Sequence, residues 1–152
     1  MIDCFDGEFA FLSNFYSSPF EGPDGAMFLT VEHYFQAMKA DIRLDYFTIA
    51  SAPTPGKAKR LGRQVVLRRD WEQVKEKVME DGLRLKFADP ELKQKLIATH
   101  PHELIEGTTW HDNEWGNCSC ERCRNIPGNN KLGKLLMKLR EEYMEENENE
   151  IH

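Results

Sequence analysis

Apolar positions recur at helical spacing along most of the chain, and only short runs alternate. The clearest period is in TVEHYFQAMK, residues 30–39. There Val31, Phe35, Met38 and the following Ile42 fall on one face of a helix, and Glu32, Gln36 and Lys39 on another. Thr30 is placed to cap this helix, read as 30–42, and Glu32 falls in its first turn, where the positive end of the helix dipole favours a carboxylate. Tyr46–Ala52 gives a further helical turn or two before Pro53 and Pro55 break it. Thr54 followed by Pro55 is an initiation signal for a helix through TPGKAKRLGR, 54–63. Asp70 is placed to cap the next, in which Trp71, Val74, Val78 and Met79 keep helical spacing towards Phe87. Pro90–Thr99 turns Leu92, Leu96 and Ile97 inward. GNNKLG at 128–133 opens a last helix with Leu132, Leu135, Leu136 and Leu139 towards the core. Strand signals are brief: Phe9–Leu12, Ala26–Leu29 after the turn EGPDG, and Leu104–Ile105. Short strands among predominant helices predict a helix-rich α+β fold.

Composition narrows the class. A chain of 152 residues, 40% hydrophobic and 30% charged, suits one soluble globular domain with a real core. No apolar run approaches membrane-spanning length, and the first residues carry no basic segment followed by a long apolar one, so neither a membrane span nor a signal peptide is expected. Four cysteines in such a chain predict reduced thiols and a cytoplasmic location. The net charge of −6 is uneven. Six of the 26 acidic residues lie in the last twelve, which hold no Lys or Arg, and the rest of the chain balances 20 acidic against 20 basic. The acidic end, 145–152, is expected to fray. Residues 57–86 hold ten Lys/Arg against five Asp/Glu, a charge that suits a phosphate, with Arg60 and Arg63 as candidate contacts. A solvated helix face gives the same pattern. The GxxxxGK[ST] order of a phosphate loop is absent.

Three stretches carry candidate chemistry. In the Phe-rich segment 3–20, Asn14 stands between Leu12 and Phe15, and an amide in an apolar cluster needs a hydrogen-bond partner, from backbone or from a ligand. EGTTWHDNEWGNC, 106–118, has no helix or strand period yet places Trp110, His111, Asp112, Asn113, Glu114 and Trp115 in a row before Gly116. Loops of this composition often form sites. Cys118, Cys120 and Cys123 follow. Zinc wants four ligands, and Cys4, His100, His102 and His111 are conceivable fourths. Free thiols in a loop are the simpler reading, and no metal or cofactor is assigned.

Taken in order, FLSNFYSSPF, TVEHYFQAMK, TPGKAKRLGR, RDW, LIEGTTWHDNEWG and NKLGKLLMKLR resemble the NADAR family, also called YbiA-like, over roughly residues 5–140. The resemblance implies a YbiA-like domain over 1–144, predominantly helical with a few short strands, and hydrolysis of N-glycosidic bonds without a cofactor. Two substrate kinds are implied: phosphoribosylamino-pyrimidine intermediates of riboflavin synthesis, and ADP-ribose on guanine in DNA or RNA. It places functional roles on Glu32 of the VEH block, Lys39 two turns on, Trp71 of the DW block and Asp112 three before the Trp115–Gly116 pair. Glu32 and Asp112 would be the two carboxylates that C–N cleavage through an oxocarbenium-like species requires. Lys39 would hold a hydroxyl, or attack C1 of the sugar as an amine; the second is the weaker reading, since a nearby Glu32 raises its pKa. Asn14, Gln36, Arg60, Arg63, Trp115 and Gly116 are expected to contact substrate. The CSCERC stretch at 118–123 departs from the family's general pattern. The competing readings are a module that binds ADP-ribose or a nucleotide without hydrolysis, and a small zinc-ribbon nucleic-acid binder. The neutral body and the missing second thiol pair speak against the latter.

Overall fold

Two threonine caps set the helices around the VEH segment. In the computed structural model, which describes residues 1–151, Thr30 is extended and its Oγ1 accepts the His33 N–H at 3.1 Å, starting α1 (Val31–Met38). After α2 (Arg43–Ala50), Thr54 Oγ1 accepts the Lys57 N–H at 3.1 Å ahead of α3 (Pro55–Gly62), with Pro55 opening the helix. Asp70 does not cap α4 (Trp71–Lys86) with its side chain. Arg68 takes the carboxylate instead, Nε and Nη2 donating to its two oxygens at 2.6 and 3.0 Å.

These four helices, with the antiparallel pair β1 (Phe20–Glu21) and β2 (Met27–Phe28), form a unit over residues 14–89. Its centre is α1, packed against α2, α3 and α4, so that every residue from Val31 to Ala37 is buried. Tyr34 meets the Phe28 ring edge-on at 5.2 Å, and Gly82 lets α4 close on Tyr34 and Val31. Helix α1 stops at Met38, earlier than the hydrophobic period suggests. Ile42 is exposed and precedes α2, because the chain turns at Ala40, which bridges Leu67.

The second unit comprises residues 1–13 and the chain from Pro90 on. Here α5 (Pro90–Ala98) lies against α6 (Lys131–Ile151). Arg140 of α6 is buried and donates to Thr99 Oγ1 at 3.0 Å and His102 O at 2.8 Å. Ile2 bridges Leu104 in parallel. Two short parallel strands, β3 (Gly107–Thr108) and β4 (Asn117–Cys118), pair inside the stretch that has no sequence period. Buried Asn130 closes this excursion: its Oδ1 accepts the Glu106 N–H at 3.0 Å and its Nδ2 donates to Leu104 O at 2.9 Å. The segment read as a strand over Phe9–Leu12 is a 3-10 helix, Gly7–Leu12. Phe11 and Leu12 are consecutive and both buried, which a strand with alternating faces cannot achieve and a tight helical turn can. Leu92, Leu96, Leu132, Leu136 and Leu139 are buried as the spacing predicts, with Ile97 and Leu135 half-buried.

The fold is thus mostly helical, six α-helices and one 3-10 helix among the described residues, with short strands. Residues 145–151 lie within the span of α6, and His152, the end of the segment expected to fray, lies outside the described residues. No described helix is long and apolar enough to cross a membrane.

Candidate functional site

The polar face of α1 is not a solvated stripe. Glu32 is 7% exposed and Gln36 4%. With α2, α3 and α4 all packed on this helix, its acid and amide are enclosed along with its apolar groups. One turn apart, they meet: Gln36 Nε2 donates to Glu32 Oε1 at 2.8 Å. The Glu32 N–H, one of the unpaired donors of a helix start, goes to Asn14 O at 3.1 Å. A carboxylate buried in low dielectric at the positive end of a helix and fixed by an amide donor is set to face developing positive charge.

Two neighbours hold this pair in register. His33 is fully buried, with Nε2 2.9 Å from Ala52 O and Nδ1 2.8 Å from Thr30 Oγ1. A carbonyl only accepts, so Nε2 carries the proton; in the neutral ring Nδ1 then accepts from the Thr30 hydroxyl. Gly62 of α3 faces Gln36. A Cβ there would overlap Gln36 Oε1 and sit 2.9 Å from Cδ, so only glycine lets the amide lie where it reaches Glu32.

Asn14 has the amide the sequence left unexplained. It is 9% exposed, its Nδ2 donates to Met79 Sδ at 3.3 Å, and its buried Oδ1 has no hydrogen-bond partner among the described residues. A thioether is a weak acceptor, so most of the hydrogen-bonding capacity of Asn14 is uncommitted. Buried groups in that condition call for an explanation, and a ligand is one.

The other residues of this unit are placed as follows. Lys39 caps the C-terminus of α1, half-buried, with Nζ 5.7 Å from the Phe35 ring centre. Trp71 opens α4, 6% exposed, its ring 5.0 Å from Phe35 and tilted by 58°. Arg60 and Arg63 are exposed at the C-terminal end of α3, where positive charge complements the helix dipole. Lys86 is 2% exposed on α4, with Nζ 5.6 Å from the Tyr16 ring centre and 5.1 Å from that of Phe87. Sequence reading passed over it. The available signal was a lysine seven residues after Met79, where the helical period calls for an apolar residue.

In the second unit Asp112 forms an Asx turn, its Oδ1 accepting the N–H groups of Glu114 and Trp115 at 3.1 and 2.9 Å. The Thr108 hydroxyl donates to Asp112 O at 3.1 Å. Trp115 is half-buried with Lys131 Nζ 5.7 Å from its ring centre, and that ammonium also donates to Glu114 Oε2 at 2.9 Å. Gly116 is buried against Glu106 O and Thr108 Cγ2, leaving no room for a side chain. One residue before Asp112, His111 adopts a left-handed backbone, φ 68°. Its Nδ1 lies 3.3 Å from both Cys120 Sγ and Cys123 Sγ, and its N–H donates to Cys118 Sγ at 3.3 Å. Burial opposes ionisation of Cys118, yet donors from Cys120 and His111 and the neighbouring thiol of Cys123 bring its thiol down to about 6. Burial and the other two cysteines push Cys123 up.

Comparison with known proteins bears on the family and the fold. The NADAR domain model matches residues 4–144. The chain is 42% identical to N-glycosidase YbiA of Shigella flexneri serotype 5b (strain 8401) over 133 residues, 86% of this chain and 79% of that protein. It is 39% identical over 105 residues to the riboflavin biosynthesis protein PYRR, chloroplastic, of Arabidopsis thaliana, 64% of this chain but 16% of that one. The NMR structure of the E. coli protein YbiA is similar at TM-score 0.79 and 38% identity, covering 97% of this chain and 89% of the other.

Proposed function

The chain belongs to the NADAR family and is an N-glycosidase of the YbiA kind, and from that premise we propose that it hydrolyses the bond between a base nitrogen and C1 of a phosphorylated ribose, in a phosphoribosyl or ADP-ribosyl conjugate. The observation that carries the reading is the buried Glu32 carboxylate, held by the Gln36 amide in the first turn of α1. As the C–N bond lengthens, positive charge spreads over C1 and the ring oxygen. An ionised, pre-oriented carboxylate stabilises that charge most when water is excluded around it. Water then adds to C1, one of its protons is lost to a base, and the leaving nitrogen gains a proton.

Asp112 is the proposed second carboxylate. Its Asx turn fixes Oδ1, and Oδ2 is the oxygen offered to that proton transfer. Asn14 Oδ1 is the proposed acceptor for a ribose hydroxyl, supported by its lack of another partner. Lys39 is assigned a hydroxyl or phosphate oxygen. Trp71, pressed on Phe35, suits a wall that excludes water better than an open stacking platform. Arg60, Arg63, Gln36, Trp115 and Gly116 complete the proposed contacts, the arginines by charge and Gly116 by the shape of its loop.

The name of the Arabidopsis relative supports the riboflavin intermediate as one substrate. The test offers the purified protein both that phosphoribosylamino-pyrimidine and guanine-linked ADP-ribose on DNA, and follows release of the base. Cleavage of either by the wild type, with Glu32→Gln folded and slower by at least about 100-fold, is expected. Cleavage of neither, or near-wild-type turnover by Glu32→Gln, overturns the reading.

A further inference from the structure

We propose that His111, Cys118, Cys120 and Cys123 form a closed, four-ligand zinc site that holds the 106–130 loop in shape. Their ligand atoms all lie within 4.8 Å of one another. A tetrahedral zinc bound by three thiolates and one imidazole separates its ligand atoms by roughly 3.5–3.8 Å, from bonds of about 2.3 Å to sulfur and 2.0–2.1 Å to nitrogen. The two His111 Nδ1···Sγ distances of 3.3 Å are about 0.2 Å shorter than that spacing, and the widest separation closes onto it with a movement of about 1 Å. Three sulfurs and one nitrogen in such an arrangement select zinc over hard cations.

Several independent features build the site. Cys118 ends β4 and is buried, and Cys123 is buried in the turn that follows, so two ligands are fixed by the backbone. The spacing Cys-X-Cys-X2-Cys brings three thiols round one point, and the left-handed backbone at His111 turns the fourth ligand onto them from the other strand connection. The His111 N–H already points at Cys118 Sγ, a backbone donor of the kind that stabilises a coordinated thiolate. The Asn113 side chain accepts the Cys118 N–H at 2.8 Å and fixes the backbone there. None of the four cysteines of the chain is tied up in a disulfide, so the three in this cluster are available to bind metal as thiolates. The loop needs such a fastening, since between Thr108 and Asn130 it buries few apolar side chains.

With four protein ligands the metal has no open position for water, so it is structural rather than a source of hydroxide. What it positions is Asp112, the residue after His111. That consequence rests on the proposed role of Asp112; the metal site itself does not.

The experiment is elemental analysis of full-length protein purified under reducing conditions without added metal, followed by exchange into Co²⁺. The expected result is about one equivalent of zinc per chain and, with cobalt, the intense visible bands of a tetrahedral thiolate site. Cys120→Ser and His111→Ala should each bind zinc at least about tenfold more weakly, read by competition with a chromophoric chelator. Should either variant fail to fold, chelation of the wild type gives the same readout, as loss of metal with a lowered Tm. Zinc below about one-tenth equivalent, both as purified and after incubation with zinc chloride and reductant, overturns the site. So does iron as the resident metal, or a His111→Ala protein with unchanged zinc affinity and cobalt spectrum. Inactivity of the zinc-loaded wild type on both glycosidic substrates would count against the proposed function and leave the metal site standing.

Discussion

Replacing Gly62 by alanine tests whether the Gln36 amide matters to the carboxylate it holds. In an unobstructed helix interior the change would stabilise by about 1 kcal/mol. Here the new methyl would overlap Gln36 Oε1 and lie 2.9 Å from Cδ and 3.2 Å from Cβ, against an ordinary separation of about 3.5–4.0 Å. Gln36 is 4% exposed and cannot swing into solvent, so its amide must retreat by about 1 Å, and the 2.8 Å bond to Glu32 goes with it. Overpacking of this sort costs about 1–3 kcal/mol. Net of the helix gain, stability falls by about 0–2 kcal/mol, a Tm shift of less than about 8 °C for a chain of this size. Catalysis suffers more. A hydrogen bond to a charged group contributes about 1.5–3 kcal/mol, which as lost transition-state stabilisation is about 10–100-fold in kcat. The assay is base release, with kcat and KM measured separately beside a thermal melt. Gly56→Ala, on the same helix, is the control: its Cβ meets nothing nearer than Thr54 Oγ1 at 4.0 Å, so rate and fold should survive. In a Gln36→Ala background the clash with the amide is gone and only the 3.2 Å approach to Cβ remains, so Gly62→Ala should reduce kcat little further. Wild-type kcat in Gly62→Ala, or full additivity of the two changes, would refute the argument.

Three further outcomes follow from named contacts. Asp112→Asn keeps an oxygen for the Glu114 and Trp115 N–H groups, so Tm should hold while kcat falls at least about 100-fold; Asp112→Ala should lose the turn as well, at about 1 kcal/mol or more by chemical denaturation. Thr30→Val removes both the cap of α1 and the hydroxyl at His33 Nδ1 in a fully buried setting, and should cost about 2–4 kcal/mol by urea titration. Hydrogen bonding from Tyr46 holds the Asp24 carboxyl below its ordinary range, while burial, with Asp24 second, pushes the Tyr46 phenol up. A lowered acid stabilises the fold above its unfolded pKa and loses that contribution as pH falls through the folded value. The stability difference between wild type and Tyr46→Phe, followed as urea midpoints, should therefore be present at neutral pH and shrink below about pH 4.

What the sequence made legible was local. Thr30 and Thr54 sit before their helices with the right partner three residues on, and both cap as read. Asp70 has the same sequence credentials, but Arg68 two residues earlier offers a planar fork, and a two-pronged ionic contact outcompetes a cap. The period of α1 identified which residues share a face but not whether that face meets water. That depends on three other helices, so the burial of Glu32 and Gln36 could not be read from the helix pattern. Phe9–Leu12 misled because Phe9 and Phe11, two apart, satisfy a strand alternation in a segment that forms a tight helix. Among the conceivable fourth ligands of the proposed metal site, the one brought to the cysteines is His111, on a left-handed backbone, and a single φ leaves no trace in composition.

The fastening of the 106–130 excursion at Asn130 has a polymer consequence. One amide grips the chain at Leu104 and Glu106 while its own backbone, at φ 48°, begins the approach to α6, so entry and exit of the loop coincide at a single residue. A loop whose ends are pinned together can change length without transmitting strain to what it leaves and rejoins. Closing it costs only about 0.6 kcal/mol more for each doubling of its length. The segment therefore behaves as a replaceable cassette: residues can be inserted at or deleted from its tip, or a fastening exchanged for another, while α5 and α6 keep their packing. Within this chain, that is where chemistry can be acquired at the least structural cost.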